Sequence, residues 1–200
     1  MSRTRKEELS KVFHEFVEEY KRATNASRER RLKELRPGES APDNKPRFYH
    51  NDIRKSFAEW CEKQHAKVDE IIAGEIKELD ARITAPPSDE ATNAINLFTK
   101  RNNIDKEEVS LMFDRYGNNV QSYNVIRDFA NEHGVRVNML HPDVDRRRAL
   151  LNLRDELHGA ISLSEAERGY ATDGFASMVD LKIDGVYAEH APGWELKVML

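Results

Sequence analysis

The longest hydrophobic pattern in the chain runs from residue 48 to residue 83 and has the spacing of a helix. Its apolar positions recur every three or four residues, with Gln64 on the same face: Ile53, Phe57, Trp60, Val68, Ile72, Ile76, Leu79 and Ile83. No proline interrupts the pattern, and Pro86 and Pro87 follow its end. Because a helix rises about 1.5 Å per residue, this stretch predicts one central amphipathic helix roughly 50 Å long.

A second helical pattern precedes the central one, in a highly charged part of the chain. Within residues 1–36 the apolar side chains share one face and become sparse from Ala23 onward: Leu9, Val12, Phe13, Phe16, Val17 and Tyr20. Residues 37–47 contain three prolines and a glycine, which exclude regular structure. The pattern predicts a charged N-terminal helix over 1–36, a linker over 37–47 and the central helix over 48–83.

Start and stop signals divide residues 88–159 into four short helices, which we predict to form a small helical domain. The signals are polar N-cap residues before each apolar stripe and glycines after it. They comprise Ser88 or Asp89, the capping-box pair Asp105 and Glu108, Gly117, Asn119, Gly134, Pro142 and Gly159. Two of these helices, joined by a tight turn, predict an αα-hairpin over residues 105–133.

The tail, residues 160–200, has a different pattern. It contains four glycines and alternating apolar and polar positions, as in DLKIDGVYAE and WELKVML. Asp184 and Gly185 match a two-residue hairpin turn, so the sequence indicates either a small β-ribbon or an extended tail, which we expect to act as an interaction arm. Such a ribbon buries little by itself, and we therefore expect its apolar side chains to pack on the protein's own helices or on a partner. The candidate contacts are Phe175, Met178, Tyr187 and Trp194.

These patterns predict a mainly α fold, with a long central helix, shorter helices, the αα-hairpin and the C-terminal ribbon. The chain is unusually polar, with 34% charged residues and a mean hydropathy of -0.78. Such a chain is expected to associate with itself or with other structural subunits. The first residues have no secretory signal, and no stretch is apolar enough to span a membrane, so we expect a cytoplasmic or virion protein with no membrane partner.

Catalytic signatures do not emerge from the sequence. The chain contains no HExxH, CxxC, GxSxG, P-loop or GxGxxG pattern, and Cys61 is its single cysteine. We therefore expect a non-enzymatic protein without a cofactor. One alternative stays open, a metal-dependent enzyme, because Glu62, His65 and Asp69 share a face of the central helix.

Charge is distributed unevenly along the chain. Residues 1–36 contain 11 Lys or Arg and 7 acids, whereas residues 160–200 contain 3 and 7. This polarity fits head-to-tail contact, docking of the tail on the first helix, or binding of nucleic acid by the basic end. The last option is the alternative function, a DNA- or RNA-binding adaptor that uses helix 21–36 and hairpin 105–133. Its phosphate contacts are predicted to be Arg28, Arg30, Arg31 and Arg127.

The order of segments resembles a group of viral proteins. A charged N-terminal helix, a proline-rich break, a long polar rod and a small C-terminal segment follow one another, the rod being RFYHNDIRKSFAEWCEKQHAKVDEIIAGEIKELDARIT and the last residues WELKVML. This order is similar to that of the small helical proteins of tailed-phage and prophage head assembly, either scaffolding-type or minor capsid components. The resemblance implies a structural, self-associating component or scaffold of a phage head.

Overall fold

The first helix forms where its apolar stripe predicts it. The computed structural model describes residues 2–188, and side chains from residue 5, and its first helix, α1, spans Ser2–Lys33. The predicted apolar face is buried to at least 95%: Leu9, Val12, Phe13, Phe16, Val17 and Tyr20. Beyond Tyr20 the stripe becomes sparse, and most side chains of the last turns are exposed. The candidate site lies at the part of α1 where this apolar stripe becomes sparse.

Eight helices and no strand are present in residues 2–188, so the predicted mainly α fold is confirmed. The long central helix is α2, and α4 with α5 forms the predicted αα-hairpin. The bounds after α1 are α2 (Asn51–Ile83), α3 (Asp89–Phe98), α4 (Lys106–Tyr116), α5 (Val120–Glu132), α6 (Pro142–Ala160), α7 (Leu163–Arg168) and α8 (Asp173–Tyr187). No helix in this part of the chain has both the length and the apolar character that crossing a membrane requires.

Local capping explains where the short helices begin. The side chains of Ser88, Asp105 and Asn119 each accept a hydrogen bond from the backbone N–H three residues later, which satisfies a donor left free by the helix end. Asp105 and Glu108 form a complete capping box. After α5, Gly134 adopts a positive φ of 85°, a conformation that other residues rarely take.

The chain is divided into two compact units. Unit 1 contains residues 2–73 and 150–188, and unit 2 contains residues 74–149. The division falls inside α2 and inside α6, so each of these helices contributes residues to both units. The grouping therefore crosses the predicted segments 48–83 and 88–159.

In unit 1, α8 packs lengthwise against α1. Lys6 contacts Asp184 at 2.7 Å and Lys21 contacts Asp173 at 2.9 Å, which shows that the two helices run in opposite directions. Along this length α8 contributes apolar side chains to the interior, namely Ala176, Val179, Ile183 and Tyr187. Their spacing of three and four residues is that of one helical face.

The prediction of a hairpin over residues 180–189 is wrong for the residues that the structure describes. Residues 180–187 belong to α8. The Asp184–Gly185 pair is a strong local turn signal, but a helical Gly185 costs only about 1 kcal/mol. Burial of Val179, Ile183 and Tyr187 outweighs that cost. The strand predicted for WELKVML, including Trp194, lies outside the described residues.

The core of unit 2 is formed mainly by α3, α4 and α5. Aromatic side chains from the three helices meet there, with the Phe98 and Phe129 rings 5.2 Å apart and the Phe113 and Tyr123 rings 4.8 Å apart. The aromatic contacts hold the hairpin as part of a packed unit. Elsewhere in unit 2, the Arg146 guanidinium of α6 contacts the buried Glu75 carboxylate of α2 at 2.6 Å.

Candidate functional site

A groove runs between α1 and α2 in unit 1. The two helices are antiparallel, since Arg30 contacts Asp52 at 2.7 Å at one end and Lys67 contacts Glu15 at 3.6 Å further along. Between these points α1 presents two alanines, Ala23 and Ala26, where its apolar stripe becomes sparse. Methyl side chains do not fill the space beside α2, and so the groove stays open.

The floor of the groove is apolar and partly accessible. Ile53 and Trp60 from α2 are half-buried there, and Phe57 lies below them with 2% of its surface exposed. The Trp60 ring stacks on the Phe57 ring, with centroids 6.0 Å apart and planes inclined by 15°. The cavity has a volume of about 570 Å³, within the range of sites that bind ligands or side chains of a partner.

The rim of the groove carries balanced charge. Glu19 and Arg22 on α1 face Glu59 and Lys63 on α2, which gives two acids and two bases. Arg22 and Glu19 form an ion pair with one another, so part of this charge is neutralised within α1. The four charges of this rim therefore sum to zero, and Glu15 and Glu18 lie beside it on α1.

The reactive side chain nearest the groove is held in an inert state. Cys61 follows Trp60 but points into the interior, with 2% of its surface exposed. Burial, with a contribution from the Glu62 carboxylate, raises the pKa of the Cys61 thiol to about 12, so the nucleophilic thiolate is scarce near neutral pH. Cys61 therefore contributes no exposed thiolate to the groove.

The arginines predicted to contact phosphate already have acceptors in unit 1. Arg30 forms ion pairs with Glu34 and Asp52, and hydrogen bonds to these carboxylates, that to Asp52 being the larger cause, raise the pKa of Arg30. Arg28 donates to the Asp43 carbonyl and the Asn44 side chain, and Arg31 contacts the Glu39 carboxylate at 3.0 Å. The basic segment is thus partly neutralised, and Arg28 and Arg31 hold the 37–47 loop against α1.

Arg127, the fourth predicted phosphate contact, lies on α5 in unit 2. Its guanidinium donates two hydrogen bonds, of 2.9 and 2.8 Å, to the neighbouring Asp128 carboxylate. Asn119, at the start of the same helix, uses its side chain to cap α5 and to donate to the Ala85 carbonyl. Arg127 is therefore already paired within α5.

The side chains of the predicted metal cluster contact different partners and do not come together as one site. The Nε2 of His65 lies 2.6 Å from the Ile161 carbonyl, to which it donates, and Glu62 lies 3.6 Å from the other ring nitrogen. Asp69 instead lies 3.1 Å from the Nε2 of His158, whose ring stacks on His65 at 4.6 Å. Across the described part of the chain, no three His, Cys, Asp or Glu side chains are arranged to hold a metal ion.

The predicted partner contacts on the tail have different positions. Tyr187 is buried in unit 1, and the partly buried Phe175 ring packs on Phe13 with centroids 5.8 Å apart. Met178 is 56% exposed and remains available on the surface of α8. Trp194 lies outside the described residues.

Sequence patterns did not identify the groove. The helical pattern places Trp60 in the packing stripe of α2 and marks Ala23 only as the point where the α1 stripe becomes sparse. Small residues at 23 and 26 facing a tryptophan were the available signal. It becomes informative only when the pairing of α1 with α2 is known.

Comparison with known proteins supplies no relative from which a function could be transferred. No protein-family model, curated protein or solved structure matches this chain. The groove, the neutralised arginines and the divided histidine cluster are therefore the basis for the functional argument.

Proposed function

We propose that this chain is a non-enzymatic assembly protein that associates with copies of itself or with other structural subunits. The observation that carries this proposal is the groove of unit 1, with Trp60 half-exposed over an apolar floor. Tryptophan is among the residues that contribute most to protein interfaces, above all when neighbouring side chains exclude water from it. A groove with this floor and a neutral rim suits a protein segment better than a nucleic acid.

The setting that we propose is the head of a tailed phage or prophage, as a scaffold or minor component. The order of segments along the chain, which resembles that of phage head-assembly proteins, supports this setting. A gene for a capsid or portal protein beside the gene for this chain would support the setting. Its absence, together with absence of the chain from purified particles, would argue against the setting and leave the assembly role intact.

The energetics favour reversible association. Covering the apolar surface of the groove contributes about 1–2 kcal/mol, whereas association costs about 4–15 kcal/mol in lost freedom. The groove must therefore be filled by several side chains of one partner segment. Contacts of this size give assemblies that form at high local concentration and dissociate on dilution.

Sedimentation velocity over a concentration series tests the proposal. We expect the mean mass to rise above the 23.1 kDa of one chain as concentration increases. The exposed Ala26 allows a sharper test, because an Ala26→Arg variant places a long charged side chain in the groove without disturbing the core. Asn25→Arg is the matched control, since Asn25 is its exposed neighbour and is not among the groove-lining residues.

Three outcomes are informative. Association that is weakened by Ala26→Arg and retained by Asn25→Arg supports both the function and the groove. Equal association of the two variants means that another surface makes the contact. A wild-type chain that stays at the mass of one copy at every concentration contradicts self-association.

A further inference from the structure

We propose that the outer face of α8 pairs with the same face of a second copy of this chain, in antiparallel orientation about a two-fold axis. The inference rests on the proposed self-association but uses a surface other than the groove. What distinguishes α8 is that it carries large apolar side chains on two opposite sides.

The outer face of α8 lies opposite the face that packs into unit 1. Val179 and Ile183 belong to the inner face and are buried, whereas Met178 and Leu181 are 56% and 71% exposed. Met178 and Leu181 are three residues apart, so they lie side by side on the outside of the helix. A surface helix usually has one apolar face, and a second one indicates a further contact.

The shape of the outer face is that of one side of a paired helix. Six exposed residues form it: Gly174, Ser177, Met178, Leu181, Lys182 and Gly185. Four residues at i, i+3, i+4 and i+7 make a hole that receives one side chain of a facing helix, and the outer face contains two such holes, 174–181 and 178–185. Each hole has a glycine at one corner, where an added side chain would meet nothing within 4 Å. One face thus offers two open holes and two apolar side chains able to fill holes.

The order of these positions selects a second α8 as the partner. Gly174, Met178, Leu181 and Gly185 are spaced by four, three and four residues, which reads the same from either end. In an antiparallel pair centred after Val179, Leu181 of each copy enters hole 174–181 of the other, and Met178 enters hole 178–185. The two copies therefore fill one another by identical contacts, as a two-fold interface requires.

Antiparallel order is favoured over parallel order by charge. It separates the Lys182 side chains of the two copies by five residues, about 7.5 Å along the axis, and it opposes the two helix dipoles. Lys182 already contacts Glu156 of α6 at 2.7 Å, and Asp184 contacts Lys6 of α1 at 2.7 Å. A second α8 can therefore cover the apolar side chains without burying an unpaired charge, which is the costly case.

The size of the outer face predicts a weak pair. Its length from Gly174 to Gly185 is about 16 Å, and its width is that of one helix, about 10 Å. This footprint is well below the roughly 800 Å² per partner of a stable interface, so the pair should form at high local concentration. Pairing through α8 closes after two copies, and growth to larger assemblies requires another surface such as the groove.

Cysteine cross-linking between full-length variants tests the pair and its orientation. Gly174→Cys and Gly185→Cys add thiols at the two ends of the outer face, and the native Cys61 is buried. In the antiparallel pair position 174 lies opposite position 185 of the second copy, within the roughly 7 Å Cα separation that a disulfide spans. The same position in the two copies is about 16 Å apart. With a mild thiol oxidant, we expect the mixed variants to form a species of twice 23.1 kDa and each variant alone to stay at 23.1 kDa.

A matched pair of leucine variants tests the apolar contact. Leu181→Ser, added to both cysteine variants, should lower the yield of the mixed cross-link at least about tenfold. Leu97→Ser is the control, because Leu97 is 69% exposed on α3 of unit 2, close to the 71% of Leu181. The control should leave the yield within about twofold of the parent.

The remaining outcomes overturn the inference in distinguishable ways. Cross-linking of each cysteine variant with itself, and not in the mixture, would mean parallel order. Equal losses from the two leucine variants, or no cross-link in a chain that still associates, would mean that α8 is not the pairing surface, and the proposed function would then stand on the groove. A wild-type chain that never associates removes both this inference and the proposed function.

Discussion

Replacing Ile183 with alanine tests the packing of α8, the element for which sequence and structure differ. Ile183 is fully buried in unit 1, whereas Leu181, two residues earlier, is 71% exposed. Two residues correspond to about 200° around a helix, so the structure places these side chains on opposite faces. In a β-hairpin they share one face. The pair of variants Ile183→Ala and Leu181→Ala therefore distinguishes the two structures.

The expected magnitudes follow from burial. An isoleucine or leucine truncated to alanine in a packed interior costs about 2–5 kcal/mol, because the transfer energy and the cavity both count. With no exposed surface on Ile183, we expect Ile183→Ala to lower the free energy of unfolding by about 3 kcal/mol. Leu181→Ala, at an exposed position, should change it by no more than about 0.5 kcal/mol.

Urea unfolding followed by fluorescence measures this difference. In a Trp194→Phe background the single remaining tryptophan is Trp60, which lies in unit 1 and reports its unfolding. With a urea dependence of about 2 kcal/mol per molar, a loss of about 3 kcal/mol moves the midpoint down by about 1.5 M. Equal shifts for the two variants, or a larger shift for Leu181→Ala, would refute the helical placement of these residues.

Three further predictions concern charge. Partial burial acts to raise the pKa of Asp180, but hydrogen bonds from Ser10 and His14 hold this pKa below the ordinary 3.8. The stabilising effect of the ionised carboxylate is therefore present above pH 3.8 and is lost as pH falls through the lower pKa of the folded state. Asp180→Asn should therefore cost about 1 kcal/mol in urea unfolding at pH 7 and much less at about pH 2. Arg146→Met leaves the buried Glu75 without this ion-pair partner and should destabilise unit 2 by about 2–4 kcal/mol, as seen by a lower midpoint in circular dichroism. Because the predicted phosphate contacts are occupied by acidic or carbonyl groups, we expect no shift of a labelled duplex at 50 mM salt, and a shift that weakens steeply by 200 mM would contradict this.

The sequence predicted the elements whose signals are local. Asp105 with Glu108, and Asn119, mark helix starts through hydrogen bonds that span only three residues, and the structure contains each of them. The face of α1 was predictable for a related reason, since six apolar residues at helical spacing have one common way to be buried. In these cases the local preference and the tertiary packing agree.

The sequence failed where a local preference and tertiary packing disagree. Around Asp184 and Gly185 the turn signal is strong, and the helical face of Val179, Ile183 and Tyr187 becomes decisive only when α1 is present to cover it. The groove required the same kind of knowledge. Whether Ala23 and Ala26 lie against solvent or opposite Trp60 depends on how α1 aligns with α2, and nothing in either stripe alone determines this alignment.

The uneven charge of the chain has a structural use in unit 1. Sequence left open head-to-tail contact, nucleic-acid binding and docking of the tail on the first helix. The structure shows the last of these for the described residues, since Lys6, Lys21 and His14 of α1 contact acids of α8. Each basic group engaged in this way is less available to phosphate. What remains exposed between α1 and α2 is an apolar groove whose rim carries balanced charge, and this supports our proposal of a protein partner.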